Sequence, residues 1–375
     1  MPDCFAKSAL RPALRLVFAL AIASLPCLGQ EQPSKSQPKT TAQRKLDDRV
    51  PGWLKEYNVT GVAIAWIEKG QIAWTSFYGE QVPGGPPAGP ATLYNVASLT
   101  KPITAEIALR LASSGRILLD ESMAVYWVDP DIKDNPWTKK LTPRTVLSHE
   151  TGLPNWRYET NNVLTFQHEP GTTFGYSGEG FDYLGHFMEK KTRIPFEDMA
   201  TRFVFGRINM LSTSYTPRGW WKGRQAKPVE QEDRLRWSAA DLLRTTVSDY
   251  AAFIVSILHK QDITEELAQE RLNIPRNLTT PAEESAFCDK AKMLARCSVQ
   301  SGFNLGWHVV KVNNDIILDH TGADSDVKTF AFLIPRKQIG AVIFTNGPDV
   351  GHEMIDHVLE VLYQNPVYAA TLWPQ

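Results

Sequence analysis

Net charge is almost absent from this sequence. Its 375 residues contain 40 lysines and arginines against 41 aspartates and glutamates, which leaves a formal charge of -1. Nucleic-acid binding usually requires a basic excess or a basic stripe, and the chain has neither. The hydrophobic content of 43% argues against disorder and is enough for one large or two ordinary globular domains. We therefore expect a small-molecule or peptide partner and no nucleic-acid partner.

Long hydrophobic runs are also missing. The N-terminal run LVFALAIASLPCLG has about 14 residues, whereas a membrane-spanning helix needs about 20. Three basic residues precede it and small residues close it, which is the layout of a secretory signal peptide. The sequence thus predicts a cleaved signal peptide at 1–29 and a periplasmic or secreted protein. Pro26, directly before Cys27, argues against lipidation, so no stable membrane anchor is expected.

Cysteine is scarce, with only four in the chain. Two of them lie in the predicted signal peptide, which leaves Cys288 and Cys297, and these could pair in an exported protein. If CDKAKMLARC were one continuous helix, residues nine apart would face opposite sides, so a bridge requires a loop or hairpin there. A disulfide and two free thiols both remain open.

Signatures of metal and nucleotide chemistry are absent as well. The chain has no P-loop and no dinucleotide-binding fingerprint. HEMIDH places His352 and His357 five residues apart, whereas a zinc-binding helix needs four, so a zinc hydrolase is disfavoured. His149 in LSHETGLP is expected to order its loop rather than bind metal. We expect no metal and no cofactor.

The order of the predicted elements indicates an α+β fold. A polar segment at 30–45 is typical of a flexible tether, so the folded domain is predicted at 46–375. GVAIAWIEKG and QIAWTSFYGE predict a hairpin, and strands return after Gly302 before a final helix, HEMIDHVLEVLYQ. Short helices lie between, in a mostly helical insertion at roughly 120–295 that includes SAADLLRTTVSDYAAFIVSILHK. We expect an antiparallel sheet flanked by helices, built from N- and C-terminal segments, with the site in a cleft beside the insertion.

The stretch YNVASLTKPI leads into a predicted buried helix and contains an S-x-x-K pattern formed by Ser98 and Lys101. Residues three apart share a helix face, so the lysine amine can reach the serine hydroxyl. Burial lowers the pKa of an amine, and a neutral lysine can take the serine proton. The same pattern occurs at Ser36 in the tether and at Ser325 in a loop. Taken alone, it predicts no more than a helix cap followed by a solvated lysine.

A second motif lies in FGYSGEGFDYLG. Tyr176 precedes Ser177 and Gly178 on a Gly-rich loop that feeds a helix. A tyrosine held on such a loop could relay protons between a nucleophile and a leaving group. The simpler interpretation is an aromatic side chain that packs the loop onto the core.

A third motif lies in LDHTGADSDVKTF, where a strand ends in His320, Thr321 and Gly322. A glycine at a strand end lets the backbone approach a ligand closely. The amide of Ala323 could then face a developing oxyanion, opposite the amide of Ser98. By itself, His-Thr-Gly is an ordinary turn.

Together, the order, spacing and context of the three motifs resemble the serine β-lactamase and penicillin-binding protein superfamily. The similarity is closest to its class C branch, which also holds D,D-peptidases, D-aminopeptidases and esterases. TVLSHETGLP and GRILLDESMAVYW also look like connecting segments of that branch, so the resemblance covers roughly 46–363. It implies acyl transfer to water, without metal or cofactor, by the following groups: Ser98 as acylated nucleophile, Lys101 as its base, Tyr176 as proton relay, and the amides of Ser98 and Ala323 as oxyanion hole.

Two residues depart from the family pattern. Gly178 stands where the family often has an asparagine that contacts the acyl side chain. His320 stands where it often has a lysine suited to a substrate carboxylate, while Thr321 and Gly322 match. A histidine is mostly neutral at pH 7 unless its surroundings raise its pKa. If His320 must be protonated to hold a carboxylate, affinity for acidic substrates should fall as the pH rises.

These departures disfavour efficient β-lactam hydrolysis and leave ester and D-peptide cleavage open. The predicted function is an exported serine hydrolase that cleaves an ester or amide, with peptidoglycan-derived peptides among its candidate substrates. The alternative is a catalytically silent protein of the same fold that binds a cell-wall peptide or another ligand. Retention of the serine, lysine and tyrosine together counts against that alternative, because a pure binder needs none of them.

Overall fold

Strands from both ends of the chain build the core of the computed structural model. They are, in chain order, β1 (Gly61–Glu68), β2 (Gln71–Gly79), β3 (Tyr94–Asn95), β4 (Arg244–Thr245), β5 (Val299–Asn304), β6 (Trp307–Val312), β7 (Asp315–Asp324), β8 (Val327–Ile334) and β9 (Ile339–Asn346). Seven of them form an antiparallel sheet in the order β2-β1-β9-β8-β7-β6-β5, while β3 and β4 form a separate ribbon. β1 pairs with both β2 and β9. The predicted α+β class and N-terminal hairpin are confirmed.

The structure describes residues 38–226, 237–290, 297–347, 351–365 and 368. The predicted signal peptide at 1–29 lies outside the described residues, so it stays a prediction. Among the residues that are described, no helix is both long enough and apolar enough to cross a membrane.

Helices cover both faces of the sheet. They are α1 (Thr41–Glu56), α2 (Thr100–Ser113), α3 (Pro143–Leu147), α4 (Gly178–Thr192), α5 (Phe196–Phe203), α6 (Val247–Leu258), α7 (Glu265–Glu270), α8 (Pro281–Lys290) and α9 (Gly351–Leu362). α1 and α9 contribute to the apolar layer on one face, and α2 and α6 to the layer on the other. Every residue of β8 is consequently buried, and its sequence is almost continuously apolar instead of alternating.

The first helix begins earlier than predicted. We placed the start of the folded domain at Leu46, but α1 already begins at Thr41, inside the segment assigned to the tether. The side chain of Thr40 accepts a hydrogen bond from the amide of Gln43, and the Gln43 side chain accepts one from the amide of Thr40. This capping box satisfies two amides that would otherwise lack partners, and it fixes the helix start in a polar stretch.

The helix predicted over SAADLLRTTVSDYAAFIVSILHK is too long. Its first part forms a loop and β4, and α6 begins only at Val247, after the capping side chain of Thr246. Two contacts hold the loop away from helical geometry. The carbonyl of Ala239 accepts a hydrogen bond from Thr104 at 2.6 Å, and the carbonyl of Ala240 accepts one from Lys101 at 3.1 Å. Tertiary contacts therefore override a helical pattern here.

The open question about Cys288 and Cys297 is decided in favour of a disulfide. The two sulfur atoms are bonded, with the Cα atoms 5.8 Å apart. Cys288 lies near the end of α8, and Cys297 comes just before β5. The bridge therefore ties α8 to the edge of the sheet.

Candidate active site

Ser98 lies on a tight turn that joins β3 to α2. The turn is a single 3-10 segment, Ala97–Leu99, and Ala97 adopts a left-handed conformation with φ of 46°. The side chain of Asn95 accepts the Ala97 amide at 3.1 Å and supports this conformation. Neither the 3-10 turn nor α2 has a side-chain cap, so Ser98 is not a helix cap. The turn instead leaves its hydroxyl half-buried beside the helix start.

The amine of Lys101 lies next to this hydroxyl, as the S-x-x-K spacing predicted. Lys101 is fully buried, and its Nζ donates to Ser98 Oγ at 3.0 Å and to the carbonyl of Ala240 at 3.1 Å. Both partners are neutral oxygen atoms. A buried amine that is hydrogen-bonded to a hydroxyl is the arrangement in which a lysine can accept the hydroxyl proton.

The carbonyl that contacts Lys101 is held in place by Asp182 on α4. This carboxylate accepts hydrogen bonds from the amide of Ala239 at 2.7 Å and from the hydroxyl of Ser238 at 3.0 Å. Burial, together with the nearby charge of Asp241, raises the pKa of Asp182 to about 7. Asp182 therefore orders the loop behind the lysine. Sequence reasoning missed it, because nothing in the pattern of α4 separates this acid from its neighbours.

Tyr176 presents its ring to the lysine. Nζ of Lys101 lies 4.9 Å from the centre of the Tyr176 ring, close enough for a cation–π contact when the amine is charged. Among the described residues, no hydrogen bond joins the Tyr176 hydroxyl to Ser98 or Lys101. The structure thus brings the three residues together, while the role of the hydroxyl as a proton relay stays a prediction.

His149 orders the loop that carries Tyr176, whereas the sequence had led us to expect that it orders its own loop, LSHETGLP. Its ring stacks on that of Tyr176 with centroids 4.2 Å apart, and its Nδ1 accepts the amide of Ser177 at 3.1 Å. Accepting at Nδ1 places the proton of the neutral ring on Nε2. Burial and the neighbouring Lys101 keep the pKa of His149 well below its usual value. No cluster of metal-ligating side chains occurs among the described residues.

The His-Thr-Gly strand lies directly against the serine turn. A Cβ atom added to Gly322 would stand 2.3 Å from the carbonyl oxygen of Val96 and 2.2 Å from Oγ1 of Thr329. Only glycine permits this approach to the Val96 carbonyl, and the close approach of a ligand at Gly322 stays a prediction. Thr329 fastens the contact by donating to the Val96 carbonyl at 2.9 Å. Ala323 follows on an exposed part of β7, and its amide remains a predicted oxyanion donor.

His320 is buried and neutral. Its Nδ1 donates to the carbonyl of Thr321 at 2.7 Å, which leaves Nε2 as an acceptor without a partner among the described residues. Burial, reinforced by Lys101, lowers the pKa of His320 to about 3. The cationic role considered for this histidine would need a proton that it does not hold near neutral pH. His320 stands where the family pattern often has a lysine, but unlike a lysine it carries no charge near neutral pH.

The space beside Gly178 is filled by Trp156. A Cβ atom added at Gly178 would stand only 2.7 to 2.9 Å from carbon atoms of the indole ring. The same ring lies 5.8 Å from Nζ of Lys101. An apolar ring therefore occupies the region that the family's asparagine side chain would enter. Sequence reasoning missed Trp156, because the sequence does not show which loop meets Gly178.

A cleft of about 310 Å³ extends from the other side of the site. Tyr176, His320 and Thr321 are among its lining residues, and the aromatic rings of Phe174, Phe287 and Phe303 form part of its walls. It lies between the sheet edge and α8. The sequence predicted a site in a cleft between the sheet and the helical insertion; Ser98 and Lys101 are not among the lining residues of this cleft, so that placement stays a prediction.

Comparison with known sequences connects this arrangement to a family. Residues 43–363 match the protein-family profile described as Beta-lactamase. The chain is 22% identical over 333 residues to Protein flp of Staphylococcus aureus (strain NCTC 8325), which covers 81% of this chain and 63% of that relative. It is 24% identical over 322 residues to D-alanyl-D-alanine-carboxypeptidase/endopeptidase AmpH of Escherichia coli (strain K12), which covers 77% of this chain and 80% of that relative. The chain thus spans less than two thirds of the staphylococcal relative.

Solved structures share the fold. The octameric penicillin-binding protein homologue from Pyrococcus abyssi matches with a TM-score of 0.68 at 19% identity, covering 86% of this chain and 78% of that chain. A class C beta-lactamase matches with a TM-score of 0.67 at 16% identity, covering 91% of this chain and 99% of that chain. The resemblance inferred from the three motifs is confirmed. Since the matched profile covers most of the sequence, the chain belongs to the beta-lactamase family.

Proposed function

We propose that this protein is a serine hydrolase that cleaves an ester or amide through an acyl-enzyme on Ser98. One observation carries the proposal: the fully buried amine of Lys101 donates to Ser98 Oγ at 3.0 Å. The left-handed Ala97 places that hydroxyl on a turn that packs against the Gly322 strand. Neither the Ser98 hydroxyl nor the Lys101 amine caps the start of α2.

The reaction runs in two steps. Lys101, in its unprotonated form, takes the Ser98 proton as Oγ bonds to the substrate carbonyl carbon, and the amides of Ser98 and Ala323 are proposed to hold the resulting oxyanion. The carbonyl re-forms as the bond to the leaving group breaks, and the proton passes to that group. Water then attacks the acyl-enzyme, its proton goes to the same base, and the acid and the free serine are released. Tyr176 is proposed to relay the proton to the leaving group.

The substrate class stays broad within this proposal. D-amino acid peptides, esters and β-lactams all carry a carbonyl that such a site can attack, and relatives named as a carboxypeptidase and a beta-lactamase support that range. The apolar ring of Trp156 beside Gly178 argues against an acyl side chain that needs an amide partner. Export to the periplasm or the medium follows from the predicted signal peptide and is part of the proposal.

Active-site labelling tests the proposed nucleophile. Incubation with a fluorophosphonate or a penicillin probe, followed by intact-mass measurement and peptide mapping, is expected to give one adduct on Ser98. Ser98→Ala is expected to remove the adduct while leaving the unfolding transition unchanged. An adduct that survives in Ser98→Ala, or none in the wild-type protein, would refute the proposal.

A catalytically silent ligand-binding protein is the second candidate. The Tyr176 ring, rather than its hydroxyl, faces Lys101, which favours this candidate because a relay needs the hydroxyl within hydrogen-bonding reach. Tight binding of a peptidoglycan-derived peptide, with no turnover across nitrocefin, p-nitrophenyl esters and a D-Ala-D-Ala peptide, would establish it. Turnover of any of these that is lost in Ser98→Ala would exclude it.

A further inference from the structure

The cleft beside Tyr176 has rigid walls. The segment before α8 runs along the exposed edge of β5, where the amide of Leu278 donates to the carbonyl of Ser301 at 2.7 Å. The hydroxyls of Thr279 and Ser301 are hydrogen-bonded at 2.9 Å. Phe287 adds a wall from α8, which the neighbouring disulfide at Cys288 ties to the sheet. The cleft is thus a formed part of the fold.

Aromatic and aliphatic side chains form one part of its lining. Phe174 and Phe303 stack with ring centroids 5.3 Å apart, and Leu278 and Phe287 line the same cleft. The cleft measures about 310 Å³, which is at the lower end of the range for small-molecule pockets and has room for one aromatic ring. A ring that leaves water for this lining gains the free energy of apolar burial.

The charges around the cleft disfavour an anion. Among its described lining residues there is no lysine or arginine, and Glu283 stands exposed on its α8 wall. Asp319 is already engaged by His308 and by Tyr368, each at 2.9 Å. His320 also lines the cleft. Its Nδ1 donates to the Thr321 carbonyl, so its Nε2 is an acceptor without a partner among the described residues. A carboxylate placed here would find no lysine or arginine among the described lining residues and would face the like charge of Glu283.

We propose that this cleft binds the leaving group of the substrate, and that it selects an uncharged apolar alcohol over one that carries a carboxylate. The inference rests on the proposed Ser98 acyl transfer. Tyr176, the proposed proton donor to the leaving group, and Thr321, beside the glycine that abuts the serine turn, both line the cleft. We place the departing group on the side of the cleft because Tyr176, its proposed proton donor, lines the cleft.

Two matched esters test the selectivity. Benzyl acetate and 4-carboxybenzyl acetate release different alcohols from the same acyl group, and the alcohols differ in one carboxylate. We expect the full chain to hydrolyse the benzyl ester with a kcat/KM at least about tenfold higher. Methyl acetate, which lacks the ring, is expected to be slower than the benzyl ester by a similar factor. Ser98→Ala supplies the background rate.

Charge variants locate the effect in the cleft. Glu283→Lys places a cation on the α8 wall and is expected to shift the ratio of the two kcat/KM values toward the carboxybenzyl ester by about tenfold. Glu266→Lys makes the same charge change on exposed α7, away from the cleft, and is expected to leave the ratio unchanged. Leu278→Ala removes apolar wall, so the benzyl-to-methyl ratio should fall.

The outcomes separate this inference from the proposed function. A wild-type protein that hydrolyses all three esters with equal kcat/KM, or an equal shift in Glu266→Lys, would overturn the inference and leave the nucleophile intact. Labelling of Ser98 without ester turnover would do the same. Absence of both turnover and a Ser98 adduct would overturn the proposed function and this inference together.

Discussion

Acidification tests the neutral, buried state of His320. Its surroundings lower its pKa from 6.5 to about 3. Between these two values the unfolded chain binds a proton at this side chain and the folded chain does not, so the free energy of unfolding falls as the pH drops below about 6.5. At about pH 5, the gap of about 1.5 pH units corresponds to about 2 kcal/mol of stability lost through His320. Above about pH 7 this histidine contributes no pH dependence.

Urea unfolding near pH 7.5 and near pH 5 measures this loss. Other groups titrate in the same range, so the useful quantity is the difference between the wild-type protein and His320→Asn. The asparagine cannot titrate, and its amide can still donate to the Thr321 carbonyl. We expect the wild-type protein to lose about 2 kcal/mol more than the variant on acidification. Equal losses would refute the burial argument for His320.

Enzyme kinetics gives an independent check on the same residue. If His320 stays neutral, KM for an acidic substrate should be flat between about pH 6 and pH 8. An affinity that falls as the pH rises through this window would mean that a protonated His320 holds the substrate carboxylate after all.

Three further perturbations test the geometry of the site. Gly322→Ala should lower kcat/KM by about 100-fold or more, because its Cβ would collide with the Val96 carbonyl and displace β7 from the serine turn. Gly219→Ala is the control: its added methyl meets nothing within 4 Å, so kcat/KM should stay unchanged. Gly178→Asn should lower kcat/KM through its clash with Trp156. In the double variant with Trp156→Ala, part of that loss should be recovered. Strictly additive effects in this double-mutant cycle would contradict the contact. Cys288→Ser should lower the free energy of unfolding by about 2–3 kcal/mol, as a loop of this length predicts. Reductant should reproduce that loss in the wild-type protein and add nothing in the variant.

The sequence was most informative where local chemistry decides the structure. The β-branched and aromatic residues of GVAIAWIEKG and QIAWTSFYGE, with the Lys-Gly turn between them, predicted the hairpin that β1 and β2 form. The spacing of Ser98 and Lys101 predicted their contact, because one helical turn brings such residues together. The glycine at 322 predicted a close approach of the backbone to a ligand, and the structure shows a close approach to the Val96 carbonyl instead.

Long-range packing was not predictable in the same way. Nothing in the sequence links Trp156 to Gly178, and their contact depends on how two loops meet. The loop at Ala239 and Ala240 carries a helical pattern, yet side chains distant in sequence hold it in another conformation. His320 could be assigned no protonation state before its burial was known.

The pairing of β1 with β9 ties the site to completion of the chain. Gly61 is opposite Asn346, so β1, which follows α1, pairs with a strand that lies far along the chain. Contacts of such large sequence separation close slowly during folding. Until β9 enters, β8 has no partner on that side, and β8 supplies the threonine that fastens the serine turn. A chain cut short before Ile339 would therefore keep every residue of the motif at Ser98 and still lack the support that shapes it.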